Sequence, residues 1–553
     1  MRLDQHNSGS TLGASAEVLS NLGRKNNAII IGAGPGGLAT AMLLASRGVE
    51  VDLYERADQV GGRTSIMDID GFKFDRGPTF FLFPEVLEGI FEECGRSLHE
   101  EVDLIRLDPN YRLVFEQGGF IDAACDIEKT QAEVAKISPE DANGLERYVA
   151  ENRDKLEAFR PILEQPFLSH MDVLKLPLAS LMPLLRPWNS VDKDLKRYFS
   201  DPRIRLAFSF QSKYLGMSPF RCPSLFTILA FLEYEYGVFH PVGGCGAVTE
   251  AMARVAREMG VRIHLDTPVR RVIMDGKRAT GILTDNGEHS ADALVINADF
   301  ARAMESLVPN HVRKRWTDKK LEKKKYSCST FMMYLGIEGH YDDLAHHTIY
   351  LAEGYEQHLQ DIEKNYRLTE NPSFYVQNPC ITDPSMAPDG HSTLYVLVPV
   401  PHMHESIDWG TAQAQFREQT LDQLEQRLGL EGLRERIRVE HCITPRDWEG
   451  EMNLYRGATF SLAHGLDQML SLRPRNRFED LEGVYLTGGG THPGSGLPVI
   501  FQSAQITADL MTEDLQLEQA RAPQAHIIHS SAPSQSSSLG AGLGGMHRQA
   551  LDD

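Results

Sequence analysis

Three segments with different patterns of apolar and polar residues follow one another near the start of the chain. An apolar run from Ala28 to Ile31 ends in a glycine-rich turn, an amphipathic segment continues to Arg47, and a second apolar run extends from Val49 to Tyr54. Two short apolar runs on either side of a helical period predict one β-α-β unit of a parallel sheet.

The same patterns predict helices and strands along most of the remaining chain. Ser138 and Pro139 form a helix start, and from about residue 126 to 236 the periods are helical. We predict helices over 84–94, 141–159, 225–236, 247–259, 409–428 and 498–511, a hairpin over 104–120, and strands over 261–265, 269–274, 281–284, 293–297 and within 374–400.

These elements predict an α/β fold in which one domain interrupts another. The nucleotide-binding domain is predicted to be Rossmann-like and discontinuous, with the segments 26–125, 237–300 and 475–514. The inserted substrate domain, of mixed α+β structure with a helical membrane-facing part, takes 126–236 and 301–474. Residues 1–25 are predicted to be a flexible leader, and residues 515–553, rich in Ser, Ala, Gly and Gln, a disordered tail.

The first glycine-rich turn has the composition of a dinucleotide-binding turn. Gly32, Gly34 and Gly37 have G-x-G-x-x-G spacing. The first glycine permits the tight turn, the second lets a pyrophosphate approach the backbone, and the third lets helix and strand pack closely. Glu55, which ends the second strand, is predicted to accept hydrogen bonds from ribose hydroxyls, and Pro35 and Gly36 complete the turn. The alternative is a purely structural turn in a parallel sheet.

A second glycine pair follows the β-α-β unit directly. Gly61, Gly62 and Arg63 lie a few residues after the second strand. The Arg63 guanidinium is predicted to contact the same pyrophosphate, because guanidinium groups pair well with phosphate oxygens. The alternative for Arg63 is a solvated surface charge.

A third glycine-rich stretch lies near the C-terminus. Gly488 and Gly489 follow a predicted strand, and Pro498 begins a predicted helix. A helix N-terminus stabilises negative charge, so this stretch is predicted to lie near a part of the ligand that becomes negative.

Composition and charge exclude several classes of partner. The 553 residues carry a net charge of -21, which disfavours binding to nucleic acid. The seven cysteines have no C-x-x-C spacing, and histidine pairs lack the nearby carboxylates and thiols that complete a metal site, so no metal is predicted. The chain has no signal-peptide pattern and no long apolar run, which predicts a cytoplasmic protein.

Two stretches are candidates for contact with a membrane surface. Pro166 to Trp188 is the most apolar stretch but is interrupted by prolines, which favours either a position in the lipid headgroup region or a buried cover over the core. Arg313 to Lys325 has eight basic and two acidic residues, and is either a solvated helix face or a contact with anionic lipid.

Taken together, GAGPGGL, GGR, HPVGG, VINADF and TGGGTHPGSGLP resemble the bacterial-type phytoene desaturase family of carotenoid desaturases, within the FAD-dependent amine oxidase superfamily. The resemblance extends from about residue 28 to 511 and is nearest to the branch that acts on C30 diapocarotenoids. It implies FAD bound in a glutathione reductase/amine oxidase type domain, a long isoprenoid substrate, and peripheral association with the inner face of the membrane. It also implies that the backbone of Val269 meets the adenine and that Gly488, Gly489 and Pro498 lie toward the flavin.

The implied reaction is desaturation by hydride transfer from a saturated carbon pair to flavin. Glu233, Glu235 and His240, which lie near a flavin-side motif, are candidates for proton transfer. Four other functions stay open: a carotenoid terminal-methyl oxidase, a polyene saturase, an amine oxidase, and a non-catalytic prenyl-binding protein. The residues do not separate C30 from C40 substrates or indicate an oligomeric state.

Overall fold

A five-stranded parallel sheet is built around the predicted β-α-β unit in the computed structural model, which describes residues 26–517. The predicted strands and helix are confirmed within one or two residues at each end. Since strands from the middle and the end of the chain join this sheet, its sequence is discontinuous, as the pattern predicts. In spatial order the strands are Arg262–His264, Glu50–Tyr54, Asn27–Ile31, Ala293–Ile296 and Val484–Leu486.

Both faces of the parallel sheet are covered, as an all-parallel sheet requires. One face packs against the helices Pro35–Ser46, Cys245–Glu258 and Leu497–Asp514 through small and aliphatic side chains. The other face packs against the helix Phe300–Leu307 and a three-stranded antiparallel sheet. The strands of that second sheet are Val269–Asp275, Arg278–Thr284 and Gly287–Ser290.

A seven-stranded sheet forms the core of the second half of the fold. Its pairings are antiparallel except where His347–Leu351 pairs with Tyr111–Phe115. The helix Trp409–Leu428 packs on one face through Trp409, Phe416 and Leu424. In spatial order the strands are Ile437–Ile443, Ser329–Glu338, His391–Val400, Phe374–Gln377, His347–Leu351, Tyr111–Phe115 and Phe120–Ala123.

The hairpin of Tyr111–Phe115 and Phe120–Ala123 departs from the predicted division of the chain. We expected residues 26–125 to belong to the nucleotide-binding domain, but this hairpin is hydrogen-bonded into the seven-stranded sheet. The apolar alternation that predicts a strand does not specify its partner. We therefore propose that the first segment of the nucleotide-binding domain ends before Tyr111.

Helices and short strands complete the structure. The long helix Gly144–Glu164 packs against Ile228–Tyr236, and both helices share a core with the edge of the seven-stranded sheet that contains Tyr111–Phe115 and His347–Leu351. The short strands are Ile66–Ile69 with Phe72–Asp75, and Phe81–Leu82 and Leu104–Arg106 with Val238–Pro241. The other helices are Glu85–Glu93, Leu98–Glu101, Ile127–Ile137, Pro139–Ala142, Leu178–Leu185, Val191–Leu195, Pro202–Ala207, Asp318–Glu322, Tyr355–Gln360, Leu433–Arg436 and Pro445–Gly450.

The predicted flexible leader, 1–25, and nearly all of the predicted tail lie outside the described residues. Among residues 26–517, no helix has both the length and the apolar character needed to cross a bilayer.

Candidate active site

A cavity of about 980 Å³ lies where the carboxyl ends of the parallel strands meet the seven-stranded sheet. One end is lined by residues that follow the parallel strands, including Gly34, Asn297 and Gly488, and the other by Tyr375 and Leu397 of the large sheet. Ligands of α/β proteins bind at the carboxyl ends of the strands, and this cavity has that position.

The first glycine turn is shaped by close backbone contacts. Gly32 has a φ of +102°, and a Cβ there would lie 2.2 Å from the carbonyl oxygen of Asn297. A Cβ at Gly37 would lie 2.1 Å from the Gly32 oxygen, whereas a Cβ at Gly34 would meet nothing closer than Asn297 Nδ2 at 3.3 Å. Gly34 and its neighbours Pro35 and Gly36 line the cavity. The turn therefore presents open backbone to a ligand at Gly34.

Asn297 joins two of the glycine-rich turns. Its Nδ2 donates to the carbonyl oxygen of Gly32 at 3.0 Å, and a Cβ at Gly488 would lie 2.9 Å from its Oδ1. Asn297 belongs to the segment VINADF, but the sequence did not predict a role for its side chain. A polar residue directly after the apolar strand Ala293–Ile296 was the available signal.

Glu55 is buried and holds the first turn in place. Its Oε2 accepts from the backbone N–H of Ala33 at 2.8 Å, and its Oε1 accepts from that of Ala57 at 2.9 Å. Glu55 also lines the cavity, and each carboxylate oxygen can accept a further hydrogen bond. Its predicted contact with a ribose stays a prediction.

The second glycine pair packs on the first turn. Gly61 has a φ of +97° and donates its N–H to Ala33 at 2.8 Å, and a Cβ at Gly62 would lie 3.6 Å from Gly34 Cα. Arg63 lines the cavity and donates to the carbonyl oxygen of Thr459. Burial lowers the pKa of Arg63, an effect that nearby Asp299 opposes. The Arg63 guanidinium is thus not a solvated surface charge.

Arg76 is a second cation at the cavity and was not among the predicted site residues. Its guanidinium donates to the Ser65 hydroxyl at 3.1 Å and to the Met452 thioether at 3.7 Å, neither of which is charged. Two guanidinium groups beside open glycine backbone suit an anionic ligand such as a pyrophosphate.

The third glycine-rich stretch delivers a helix N-terminus to the cavity. Gly496 has a φ of +114° and precedes the helix Leu497–Asp514, in which Pro498 occupies the first turn. Gly488, Gly489 and Pro498 line the cavity together with Val269. Val269, which the resemblance assigns to the adenine, and the three residues that it assigns to the flavin side therefore line the same cavity.

The part of the cavity beyond the glycine-rich turns is mainly apolar and aromatic. Its walls come from the seven-stranded sheet and from the helical core. Its lining includes Phe80, Leu82, Phe210, Tyr214, Leu229, Leu232, Ile349, Leu351, Phe374, Leu397 and Phe460. Such walls suit a hydrocarbon ligand, which has no polar groups to satisfy.

The three predicted proton-transfer residues do not line the cavity. Glu233 is buried, accepts from Tyr111 at 2.9 Å and from Gln211 at 3.0 Å, and burial raises its pKa to about 7. Glu235 lies two positions further along the same helix, on another face, and pairs with Arg153 at 2.8 Å. His240 is buried, and its Nε2 lies 3.1 Å from Asp383. None of the three therefore reaches the cavity directly.

The described residues contain no group of three or more His, Cys, Asp or Glu side chains that could hold a metal ion.

Known proteins match this chain over most of its length. Residues 35–512 match the family described as flavin containing amine oxidoreductase. A 4,4'-diapophytoene desaturase (4,4'-diapolycopene-forming) of Methylomonas is 44% identical, over 88% of this chain and 95% of that protein. The all-trans-zeta-carotene desaturase of Myxococcus xanthus is 41% identical, over 89% and 94%, and a lycopene-forming phytoene desaturase of Pseudescherichia vulneris is 36% identical, over 88% and 99%.

Solved structures match the fold at low sequence identity. An oxidoreductase from Methanosarcina mazei has a TM-score of 0.57 at 18% identity, covering 88% of this chain and 99% of that one. Wild-type putrescine oxidase bound to putrescine has a TM-score of 0.56 at 17% identity, covering 89% and 99%. The chain belongs to the family of flavin containing amine oxidoreductases and, within it, to the carotenoid desaturases.

Proposed function

We propose that this protein is an FAD-dependent desaturase of a long-chain carotenoid precursor such as phytoene or diapophytoene. The observation that carries the proposal is a single cavity with a glycine-rich, cationic end and a mainly apolar remainder. A nucleotide suits the first part and a hydrocarbon chain suits the second. The similarity to diapophytoene, zeta-carotene and phytoene desaturases supports the same conclusion.

The residues at the glycine-rich end fit FAD. Gly32, Gly34 and Gly37, with Pro35 and Gly36, would hold the pyrophosphate against the first helix, and Glu55 would hold the ribose. Gly61, Gly62, Arg63 and Val269 would complete the ADP site, while Gly488, Gly489 and the helix start at Pro498 would lie toward the flavin ring. Bound flavin supplies a hydride acceptor, which allows oxidation of a carbon that has no polar group to activate it.

Apolar walls determine how this chain can act on such a substrate. A C–H bond offers nothing for an acid to protonate, so the cavity accelerates the reaction mainly by positioning the hydrocarbon and excluding water. The aliphatic and aromatic side chains of the distal cavity perform both tasks. They favour a hydrocarbon over the charged substrate of an amine oxidase.

Production of this protein in a host that makes either phytoene or diapophytoene tests the function and its chain-length preference. We expect a longer chromophore and a loss of hydrogen pairs by mass, with diapophytoene preferred. A product that gains oxygen from an already coloured polyene would instead indicate a terminal-methyl oxidase, and unchanged carotenoids would contradict the proposal.

We also propose that the protein binds an anionic membrane surface from the cytoplasmic side. Five of the large exposed apolar side chains of the described part lie between Pro166 and Trp188, with exposed fractions of 73% at Leu174 and 63% at Met171 and Trp188; the other two are Leu168 and Met182. Apolar side chains on the surface rimmed by cations favour the headgroup region of a bilayer.

The basic stretch 313–325 lies beside this apolar surface. Arg315 donates to the carbonyl oxygen of Ser471 at 2.9 Å, and the Ser471 hydroxyl lies 3.4 Å from His170. Arg313 and Trp316 are buried, so only part of the stretch can meet lipid. The exposed cations are Lys314, Lys319, Lys320, Lys323 and Lys325.

Replacing Met171 and Leu174 with serine is expected to weaken binding to vesicles that contain anionic phospholipid by at least about tenfold, since each apolar side chain contributes about 1.5–3 kcal/mol when buried. Co-sedimentation measures the effect. Ile381→Ser, which removes an exposed apolar side chain outside this surface, is the control. Equal binding by the double variant and the control would contradict the proposed surface.

A further inference from the structure

Tyr375 links the cavity to a buried histidine through the hydroxyl group of its side chain. Its ring lines the cavity, and its hydroxyl lies 2.7 Å from Thr79 Oγ1 and 2.7 Å from His347 Nδ1. The strands that carry Tyr375 and His347 are paired, which fixes both side chains on rigid backbone. Phe80, also in the cavity wall, stacks on the His347 ring with centroids 4.1 Å apart.

His347 is held as a neutral base. It is fully buried, and burial, together with the neighbouring His346 and His240, holds the pKa of His347 well below its ordinary value. The nearest histidine ring is that of His346, with centroids 4.4 Å apart, and the His346 ring in turn lies 4.8 Å from that of His240, which pairs with Asp383. A neutral imidazole has one free ring nitrogen to accept a proton, and Nδ1 is the nitrogen that faces the Tyr375 hydroxyl.

Desaturation needs such an acceptor. When one carbon loses a hydride, the carbon becomes cationic and the C–H bond on its neighbour becomes strongly acidic. Because that C–H bond is so acidic, even a weak neutral base can accept its proton. Carboxylates also line the cavity, at Glu55, Asp58, Asp299 and Glu451, but all four lie outside the large sheet that carries Tyr375.

We propose that Tyr375 accepts the proton that leaves the substrate while its own hydroxyl proton passes to His347 Nδ1. One substrate C–H bond breaks with its electron pair leaving as hydride to the flavin. The neighbouring C–H bond breaks, its electron pair forms the new double bond, and the proton forms an O–H bond on Tyr375. The former Tyr375 O–H bond breaks as an N–H bond forms on His347. After product leaves, His347 returns its proton to Tyr375 while Tyr375 releases the substrate-derived proton to water that enters the emptied cavity. This inference rests on the proposed function.

The direct test is Tyr375→Phe in the FAD-bound protein. In anaerobic single-turnover experiments with diapophytoene or phytoene, we expect flavin bleaching to slow by about 100-fold, within the range that a positioned acid or base contributes. Wild-type protein should bleach more slowly in D₂O than in H₂O, because the Tyr375 and His347 protons exchange with solvent, and the variant should lose this solvent isotope effect.

Two further variants distinguish a role of Tyr375 in proton transfer from a purely structural role. Tyr395→Phe is the matched control, since Tyr395 also lines the cavity but donates to the Gly77 carbonyl oxygen at 2.6 Å rather than to a base. It should keep the isotope effect. His347→Asn retains a hydrogen-bonding group beside Tyr375 but no base, so it should bleach slowly, as Tyr375→Phe does. This variant also replaces the first test if Tyr375→Phe does not fold.

A measurement without turnover checks the hydrogen bond itself. In ¹⁵N-histidine-labelled protein, the NMR signal of His347 is identified by its absence from the spectrum of His347→Asn. Its chemical shift should indicate that Nδ1 accepts a hydrogen bond, and this shift should change in Tyr375→Phe. Bleaching and an isotope effect in Tyr375→Phe equal to wild type would overturn the inference alone. Wild-type protein that retains FAD but is not bleached by either substrate would instead contradict the proposed function.

Discussion

Replacing Gly34 with valine is expected to give folded protein that purifies almost without flavin. Gly34 has a φ of -73°, which any residue adopts, and a Cβ there would be 3.3 Å from its nearest neighbour, Asn297 Nδ2. An added Cβ requires the Asn297 side chain to shift by only a few tenths of an ångström, so we expect the variant to fold, while the methyl groups of valine would occupy the space that we assign to the pyrophosphate. We expect FAD occupancy to fall at least about tenfold, a change that 1.4 kcal/mol produces.

The comparison with other glycines makes this result specific. At Gly37 an added Cβ would lie 2.1 Å from the Gly32 oxygen, so Gly37→Ala should lower both flavin content and thermal stability. At Gly89, in the helix Glu85–Glu93, nothing lies within 4 Å, and Gly89→Ala should keep full flavin content. The ratio of absorbance at 450 nm to that at 280 nm measures flavin content relative to wild type, and thermal unfolding followed by circular dichroism measures stability. Full flavin content in Gly34→Val would refute the placement of the pyrophosphate.

A large loss of stability is expected when Asp194, which lies beneath the proposed membrane surface, is replaced. Its carboxylate is fully buried, 2.9 Å from Lys155 Nζ and 2.6 Å from Arg186 Nε, and Lys155 is also fully buried. Asp194→Asn leaves Lys155 as a buried charge with a much weaker partner. Removing one member of a buried ion pair costs about 3–5 kcal/mol, and we expect a loss of stability of that size in chemical denaturation followed by circular dichroism.

Lys155→Met and a surface pair provide the controls for Asp194. Lys155→Met should cost less, because Arg186 still pairs with Asp194. Asp285→Asn removes an exposed pair with Arg270 and should leave the unfolding midpoint nearly unchanged. An equal loss of stability in Asp194→Asn and Asp285→Asn would show that the buried ion pairs do not stabilise this region.

The same cluster predicts a sensitivity to acid. Burial opposes ionisation of Asp194, but its bonds to Arg186 and Lys155 outweigh burial and lower its pKa in the folded protein. Its contribution to stability is therefore present above the pKa of about 3.9 of an unfolded aspartate and is lost as the pH falls toward the folded value. The difference in unfolding free energy between wild type and Asp194→Asn should shrink below about pH 4.

Much of the secondary structure was predictable because turns and helices depend mainly on residues that are close together in the sequence. The glycine spacing after Ile31 requires a tight turn whatever the tertiary context, and the predicted helix 409–428 agrees with the observed Trp409–Leu428. The pairing of the strand Tyr111–Phe115 with the large sheet was not predicted, because strand pairing over more than 200 residues leaves no local signal.

The acid and base candidates show the same limit. Glu233 and Glu235 are two positions apart on one helix, so they point to different faces, and proximity to a motif in sequence could not tell whether either faced the cavity. Tyr375 has no recognisable pattern around it, and the polar position of Asn297 after an apolar strand does not by itself specify a role. Tyr375 is positioned by the pairing of its strand with another strand, in which Gln377 lies opposite His347. Asn297 is positioned by the pairing of Ile296 with Ile31.

The measurement that tests the central claim most directly is the stoichiometry of one anaerobic turnover. Purified FAD-bound protein is mixed with diapophytoene or phytoene, and both flavin reduction and product mass are recorded, with Gly34→Val as the control that lacks flavin. We predict one new double bond, and the loss of two hydrogens, for each flavin reduced. A product that contains added oxygen, or flavin that stays oxidised with both substrates, would contradict the assignment as a carotenoid desaturase.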